Sequence, residues 1–190
     1  SSQYLMPEIL INRVEPQALA LNDHQDRFAL AVLIFQILDY GVHPFQGVPH
    51  DQSIENANTD EFAKLGWYAY GLTPNPNVSP ARQSIHEYWD AEIRRLFDRA
   101  FTAKRPSQRP TATEWREHLD RLIRSKAFAK CDRFPNEVVH IHFKGKPCFV
   151  CEKFTVLAPP TPPDPPPPPN SDWAEWLGKI VVFVVIIAVI

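Results

Sequence analysis

The chain has 190 residues, a formal charge of −2 and 44% apolar residues. This length permits one ordinary domain of roughly 130–150 residues with appendages. The near-neutral charge gives no sign of a nucleic-acid surface, so we expect no nucleic-acid partner. Because the sequence begins at Ser1 without Met and stops at Ile190 within an apolar run, we expect it to be a fragment of a longer protein.

The first strong helical signal covers residues 27–39, which are apolar nearly all the way round. A helix that is apolar on every face is predicted to lie buried in the centre of a domain. Asp23 or Asp26 can cap its start. Gly41 and Pro44 are typical of a helix end.

Three more helices are predicted further along the chain. Residues 61–70 form a short one, and residues 84–102 carry apolar side chains at helical spacing. Thr111 or Thr113 caps the last helix, and Glu114 can complete a capping box with Thr111. With no convincing alternating strand before residue 137, this part of the chain is predicted to be mainly α, with long loops.

Clustered cysteines and histidines follow the helical part. The three cysteines of the chain lie within 21 residues, with two histidines between them: Cys131, His140, His142, Cys148 and Cys151. An odd number of cysteines disfavours a disulfide framework and suits a reducing compartment. Three thiolates and one imidazole predict a structural zinc site with no open position. Residues 138–143 alternate as a strand with both histidines on one face, so the pattern does not choose between them.

The last part of the chain has two further features. Nine prolines between Pro159 and Pro169 predict a stiff polyproline II spacer, to which a partner with an aromatic groove could bind. Residues 180–190 are eleven consecutive apolar residues, with Trp173 and Trp176 before them like an interfacial belt. We expect the start of a transmembrane helix here, with a buried strand as the alternative.

Three motifs in the helical part resemble the C-terminal lobe of protein kinases, and they occur in the kinase order. Residues 26–33, followed by Gly-Val-His-Pro-Phe-Gln-Gly at 41–47, resemble its central helix. Pro7-Glu8 is similar to the end of Ala-Pro-Glu, with Met6 in place of Ala. Arg-Pro-Thr at 109–111 resembles the turn before the last helix of the lobe.

The Cys-Phe-Val-Cys-Glu sequence at 148–152 strengthens this resemblance. It is similar to the Cys-Pro-Trp-Cys-Glu zinc element that follows the lobe in a bacterial kinase family, with a departure at its two middle residues. Two further departures are Ala29 and Ala31, where kinases usually carry Ser and Gly.

The resemblance implies roles for individual residues. Glu8 and Arg109 would form a buried ion pair that ties the activation segment to the lobe. Asp26 would accept backbone N–H bonds beneath the catalytic loop. Of the two histidines, His140 lies nearer the family's metal-ligand position, with His142 as the alternative.

Together with the proline-rich and apolar segments, the resemblance implies a domain organisation. It comprises a partial kinase domain, a zinc knuckle, a proline-rich linker and a truncated transmembrane helix, at residues 1–126, 127–157, 158–172 and 173–190. The protein would be single-pass in the membrane, with the lobe cytoplasmic on the side of Lys179.

The function implied is that of a bacterial Ser/Thr protein kinase, which transfers the γ-phosphoryl group of ATP to a protein substrate with magnesium. The chain carries no glycine-rich loop, His-Arg-Asp or Asp-Phe-Gly sequence, so we expect no catalytic or nucleotide-binding residue in it. The alternatives are a pseudokinase and a zinc-stabilised, membrane-tethered scaffold that only resembles a kinase lobe.

Overall fold

A computed structural model describes residues 2–12, 23–51 and 58–153 of the chain. These residues divide into two compact units between Trp115 and Arg116. The predicted linker and the predicted transmembrane segment, at 158–172 and 173–190, lie outside the described residues. Among the helices that the structure describes, none is long and apolar enough to cross a membrane.

Helices dominate the described residues, which confirms the prediction of a mainly α chain. The elements in chain order are α1 (Pro7–Asn12), α2 (Asp23–Leu38), β1 (Gly47–Pro49), α3 (Thr59–Lys64), β2 (Val78–Pro80), α4 (Ala91–Thr102), α5 (Ala112–Arg124), β3 (Phe128–Lys130), β4 (Ile141–Phe143) and α6 (Phe149–Lys153). Short 3-10 turns lie at Ser2–Tyr4, His86–Tyr88, Pro106–Gln108 and Val138–His140.

The central helix α2 begins at Asp23, so Asp26 lies inside its first turn and does not cap it. The helix ends in two residues with positive φ, Tyr40 and Gly41, and the Gly41 N–H donates to the Gln36 carbonyl at 2.7 Å. The prediction that this helix is buried on every side is wrong. Ile37 is 52% exposed, because the aromatic core of the first unit covers only one side of the helix.

That aromatic core surrounds Phe35 of α2. Its ring lies 4.9 Å from Tyr70, 5.2 Å from Trp89 and 5.0 Å from Phe97, with edge-on orientations in each case. Edge-to-face packing suits the charge distribution of aromatic rings and adds to the gain from burial. Helix α2, the loop after α3 and helix α4 therefore share one core.

A small antiparallel sheet lies beside this core, where the sequence predicted no strand. Gly47 of β1 pairs with Pro80 of β2. A Cβ at Gly47 would lie 2.6 Å from Cγ2 of Val78 and 2.7 Å from the Ser79 carbonyl oxygen, so glycine is required there. Strands of three residues are too short to show an alternating pattern in the sequence.

Helix α4 starts later than the predicted residue 84. The side chain of Asp90 accepts hydrogen bonds from the backbone N–H groups of Glu92, at 2.8 Å, and Ile93, at 3.1 Å. This N-cap stops the helix from extending back toward the 3-10 turn at His86–Tyr88.

The second unit contains a hairpin in which β3 pairs with β4, with Ala129 opposite His142. The predicted strand over 138–143 is shorter than expected. Its first half forms the 3-10 turn Val138–His140, and β4 begins only at Ile141.

Candidate metal centre

Four potential metal ligands come together in the second unit from three local structures. Cys131 directly follows β3, and His140 ends the 3-10 turn before β4. Cys148 immediately precedes α6, and Cys151 lies within it. Residues three apart at a helix start lie on one face, so the Cys-x-x-Cys spacing points both thiols the same way.

Three of the separations between the ligand atoms are close to those of a tetrahedral zinc site. Nδ1 of His140 lies 3.5 Å from Sγ of Cys148 and 3.5 Å from Sγ of Cys151, and the thiols of Cys131 and Cys151 are 3.5 Å apart. All four atoms lie within 4.8 Å of one another. Ordinary Zn–S and Zn–N bonds at tetrahedral angles would separate two sulfurs by about 3.8 Å, and sulfur from nitrogen by about 3.5 Å.

The fold distinguishes the two candidate histidines. His140 belongs to the cluster, whereas His142 lies on β4 and its Nδ1 is 3.0 Å from the carbonyl oxygen of Phe143. The predicted common strand face of the two side chains is wrong, because His140 belongs to a turn and not to the strand. Sequence alternation did not reveal this turn.

Burial and mutual proximity control the protonation of the thiols. Burial and the neighbouring Cys131 and Cys148 raise the pKa of Cys151 to about 12. Burial also raises the pKa of Cys131, but hydrogen bonds from the backbone N–H groups of Phe134 and Arg133 and from the two other thiols together outweigh it and lower that pKa overall. Three thiolates cannot form side by side without a compensating cation. The described cysteines form no disulfide, so all three sulfurs are available as ligands.

The donor set fits a structural metal ion. Three soft sulfur ligands and one imidazole suit zinc, and four protein ligands leave no position for a substrate or a reactive water. Bound at these ligands, the ion would crosslink the end of β3, the 3-10 turn and α6. The ligand side chains lie within the packed part of the unit, where Cys131 and Cys148 are only 5% and 8% exposed.

The first unit brings together two other predicted residues, Glu8 and Arg109. Nη2 of Arg109 donates to both carboxylate oxygens of Glu8, at 2.7 and 2.9 Å, across a sequence separation of 101 residues. The Arg109 side chain is 3% exposed and that of Glu8 38%. Nε of Arg109 donates to the carbonyl of Ala100 at 3.3 Å, and its guanidinium lies over the Phe28 ring at 5.2 Å.

Asp26 is exposed on α2, and no hydrogen bond to its carboxylate is found within the described part of the chain. Its expected backbone donors belong to a catalytic loop that this sequence does not contain, so its role stays a prediction. The buried acid of this region is Asp39, which is 0% exposed and accepts from the Ile85 N–H at 2.6 Å. Sequence reasoning did not identify Asp39. The sequence feature that could have identified Asp39 as a buried acid is its position at the end of the apolar segment of α2.

The sequence of this mainly helical chain is similar to those of two proteins described as protein kinases. The chain is 35% identical over 107 residues to "Protein kinase YegI" of Escherichia coli O157:H7, covering 52% of this chain and 16% of that protein. It is 33% identical over 108 residues to the protein of the same name from strain K12, covering 53% and 16%.

The chain thus spans only 16% of the length of these curated relatives, and the similarity supports a kinase-like relationship. No family model matches the sequence. No solved structure matches it either.

Proposed function

We propose that this chain is the C-terminal part of a bacterial Ser/Thr protein kinase, whose full-length parent phosphorylates protein substrates with ATP and magnesium. The ion pair between Arg109 and Glu8 carries the proposal. It joins the two positions that the kinase resemblance pairs, and the similarity to "Protein kinase YegI" supports it independently. The contact is charge-assisted, with Nη2 of Arg109 donating to both oxygens of the Glu8 carboxylate.

In this proposal the residues of this chain hold other parts of the kinase in position and take no direct part in phosphotransfer. The segment around Glu8 follows the activation segment of the parent, and Arg109 holds it against the lobe. Asp26 would gain its backbone donors from the catalytic loop of the parent. ATP and magnesium would bind to upstream residues.

A phosphotransfer assay on the full-length parent tests the proposal. Purified protein is incubated with magnesium and γ-labelled ATP, and label on the protein itself and on a generic protein substrate is measured. We expect transfer by the wild type and a large loss in Arg109→Ala. Arg95→Ala, which removes an exposed arginine from α4, is the matched control and should keep the wild-type rate. A folded parent that transfers no label would favour the scaffold alternative.

We further propose that Cys131, His140, Cys148 and Cys151 bind one structural zinc ion. The spacing of the four ligand atoms supports this assignment. Metal analysis of the purified 190-residue chain in detergent tests it, with His140→Ala compared against His142→Ala. We expect one zinc per chain in the wild type and in His142→Ala, and loss of zinc in His140→Ala. Equal loss in both variants would contradict the choice of His140.

We also propose that residues 173–190 are the start of a transmembrane helix that anchors the full-length parent, with the lobe cytoplasmic and residues 158–172 as a spacer or a ligand for a polyproline-binding partner. The apolar run with its two tryptophans supports it. Alkaline extraction of membranes from expressing cells tests the anchor. The wild type should stay in the membrane pellet, and a chain ending at Asn170 should be released. Release of both would contradict the proposal.

A further inference from the structure

We infer that Glu137 is a positioning residue for the metal site, where it holds His140 in the tautomer whose Nδ1 can bind the ion. This inference rests on the proposed zinc site and adds to it a residue outside the four ligands. Glu137 lies three residues before His140, at the start of the 3-10 turn.

The imidazole ring of His140 is oriented so that its two nitrogens lie near different groups. Nδ1 of His140 faces the thiols of Cys148 and Cys151, whereas its Nε2 faces a carboxylate oxygen of Glu137 at 3.5 Å. A neutral imidazole has one N–H and one lone pair. A metal ion at Nδ1 needs the lone pair there, so the proton must lie on Nε2, where the negative charge of the nearby carboxylate favours it.

Backbone geometry explains why Glu137 occupies this position. Glu137 directly precedes the 3-10 turn Val138–His140, and its carboxylate lies 3.5 Å from the imidazole at the end of that turn. The His140 N–H donates to the Glu137 carbonyl at 3.1 Å, which closes the turn. The carboxylate is therefore placed by the backbone of the same turn that presents the ligand.

A third group restricts rotation of the imidazole. The Phe134 ring lies 4.5 Å from the ring of His140, and the Glu137 N–H donates to the Phe134 carbonyl at 3.3 Å. His140 is buried, whereas the side chain of Glu137 is 53% exposed. The carboxylate can thus be replaced without opening the core of the unit, which makes its contribution measurable.

Zinc affinity of the full 190-residue chain in detergent tests the inference, measured by competition with a chromogenic chelator. We expect Glu137→Ala to weaken zinc binding about tenfold. This is the lower end of the range for carboxylates beside a metal-binding histidine, because the Glu137 side chain is half-exposed. Glu137→Gln keeps an acceptor oxygen and should lose less. Asp132→Asn is the control, because it removes the same charge from an exposed residue next to Cys131. The zinc affinity of this variant should equal that of the wild type.

A second measurement separates positioning from a general loss of structure. In zinc-saturated protein, ¹⁵N NMR of the histidines should show His140 bound through Nδ1 with a slowly exchanging Nε2–H. That proton should exchange faster in Glu137→Ala at unchanged circular dichroism. Unchanged affinity and exchange in Glu137→Ala would overturn the inference, as would binding through Nε2. A wild type that binds no zinc would instead overturn the proposed metal site, and this inference with it.

Discussion

Arg109 is a charged side chain in an almost fully buried position, and its surroundings explain how that is possible. A buried guanidinium is very unfavourable unless acceptors replace the lost water. Here the Glu8 carboxylate, the Ala100 carbonyl and the face of the Phe28 ring do so. Nη1 of Arg109 also lies 3.2 Å from the sulfur of Met6, at a position where kinases usually carry alanine.

Truncation of this arginine should be costly. We expect Arg109→Ala to lower the free energy of unfolding by about 1.5–3 kcal/mol, because it removes packed atoms and hydrogen bonds of a charged group, whereas the 38% exposed Glu8 that remains can be hydrated. Urea unfolding followed by tryptophan fluorescence measures this effect.

The control for that measurement is Arg95→Ala. Its pair with Glu92 has 59% and 46% exposed side chains, so the loss should be below about 1 kcal/mol. Similar losses in the two variants would show that burial of Arg109 contributes nothing to stability.

At the scale of the single element, the start of α5 shows a complete capping box. The Glu114 N–H donates to Oγ1 of Thr111 at 3.2 Å, and the Thr111 N–H donates to Oε2 of Glu114 at 2.9 Å. The predicted capping box is confirmed, and of the two predicted caps the structure selects Thr111. Arg99 of α4 donates to the same carboxylate at 2.7 Å, which links the cap to a second helix.

Loss of this cap should destabilise the chain measurably. Thr111→Ala leaves the backbone N–H of Glu114 without its side-chain acceptor, and we expect a loss of about 1 kcal/mol in the free energy of unfolding. Thr113→Ala changes an exposed threonine two residues along the same helix, and alanine should be neutral or slightly stabilising there. Chemical denaturation of the two variants in parallel measures the difference. A larger effect at Thr113 would contradict the assignment of the cap.

The carboxylate of Glu114 should make stability depend on pH. Burial raises its pKa, but the hydrogen bonds from Arg99 and from Thr111 outweigh burial and hold the pKa below the ordinary value of 4.5. A lowered pKa stabilises the folded state above the unfolded-state value, and this contribution disappears as the pH falls through the folded-state pKa. The stability difference between wild type and Glu114→Gln should therefore be complete near pH 6 and shrink below pH 4.5.

The control for this pH series is Glu117→Gln, which removes the same charge from an exposed site on the same helix. Thermal unfolding of all three proteins between pH 3 and pH 7 gives the comparison. A difference between wild type and Glu114→Gln that stays constant across this range would contradict the predicted role of Glu114.

At the scale of the whole molecule, the two units differ in how they are stabilised. The first has an aromatic core around Phe35. In the described residues of the second, the buried apolar side chains are Cys131, Cys148 and Phe149. So small a core rarely stabilises a fold without a metal or a disulfide.

Zinc removal should therefore affect the two units unequally. With a strong chelator, we expect amide protection to be lost over residues 127–153 and retained over 58–115, since binding free energy is folding free energy in a small metal-bound unit. Hydrogen exchange read by mass spectrometry, with and without chelator, resolves the two ranges. Equal loss of protection in both, or no loss in either, would contradict this division.

Local patterns predicted much of this architecture. The helical period of α4 and α5, the capping box at Thr111 and the Cys-x-x-Cys pair all depend on residues a few positions apart, so the sequence alone was enough to find them. The ligand types likewise indicate the kind of site, because three thiols and an imidazole suit zinc whatever the fold.

Tertiary structure decided the features that depend on distant contacts or on a single turn. Strand β1 exists only because it pairs with residues about 30 positions later. Ile37 is exposed because the core covers one side of α2. His140, and not His142, joins the cysteines because a 3-10 turn replaces the first half of a strand. A local pattern contains no information about which of two compatible backbones the rest of the chain will stabilise, and here that choice determined which histidine lies beside the cysteines.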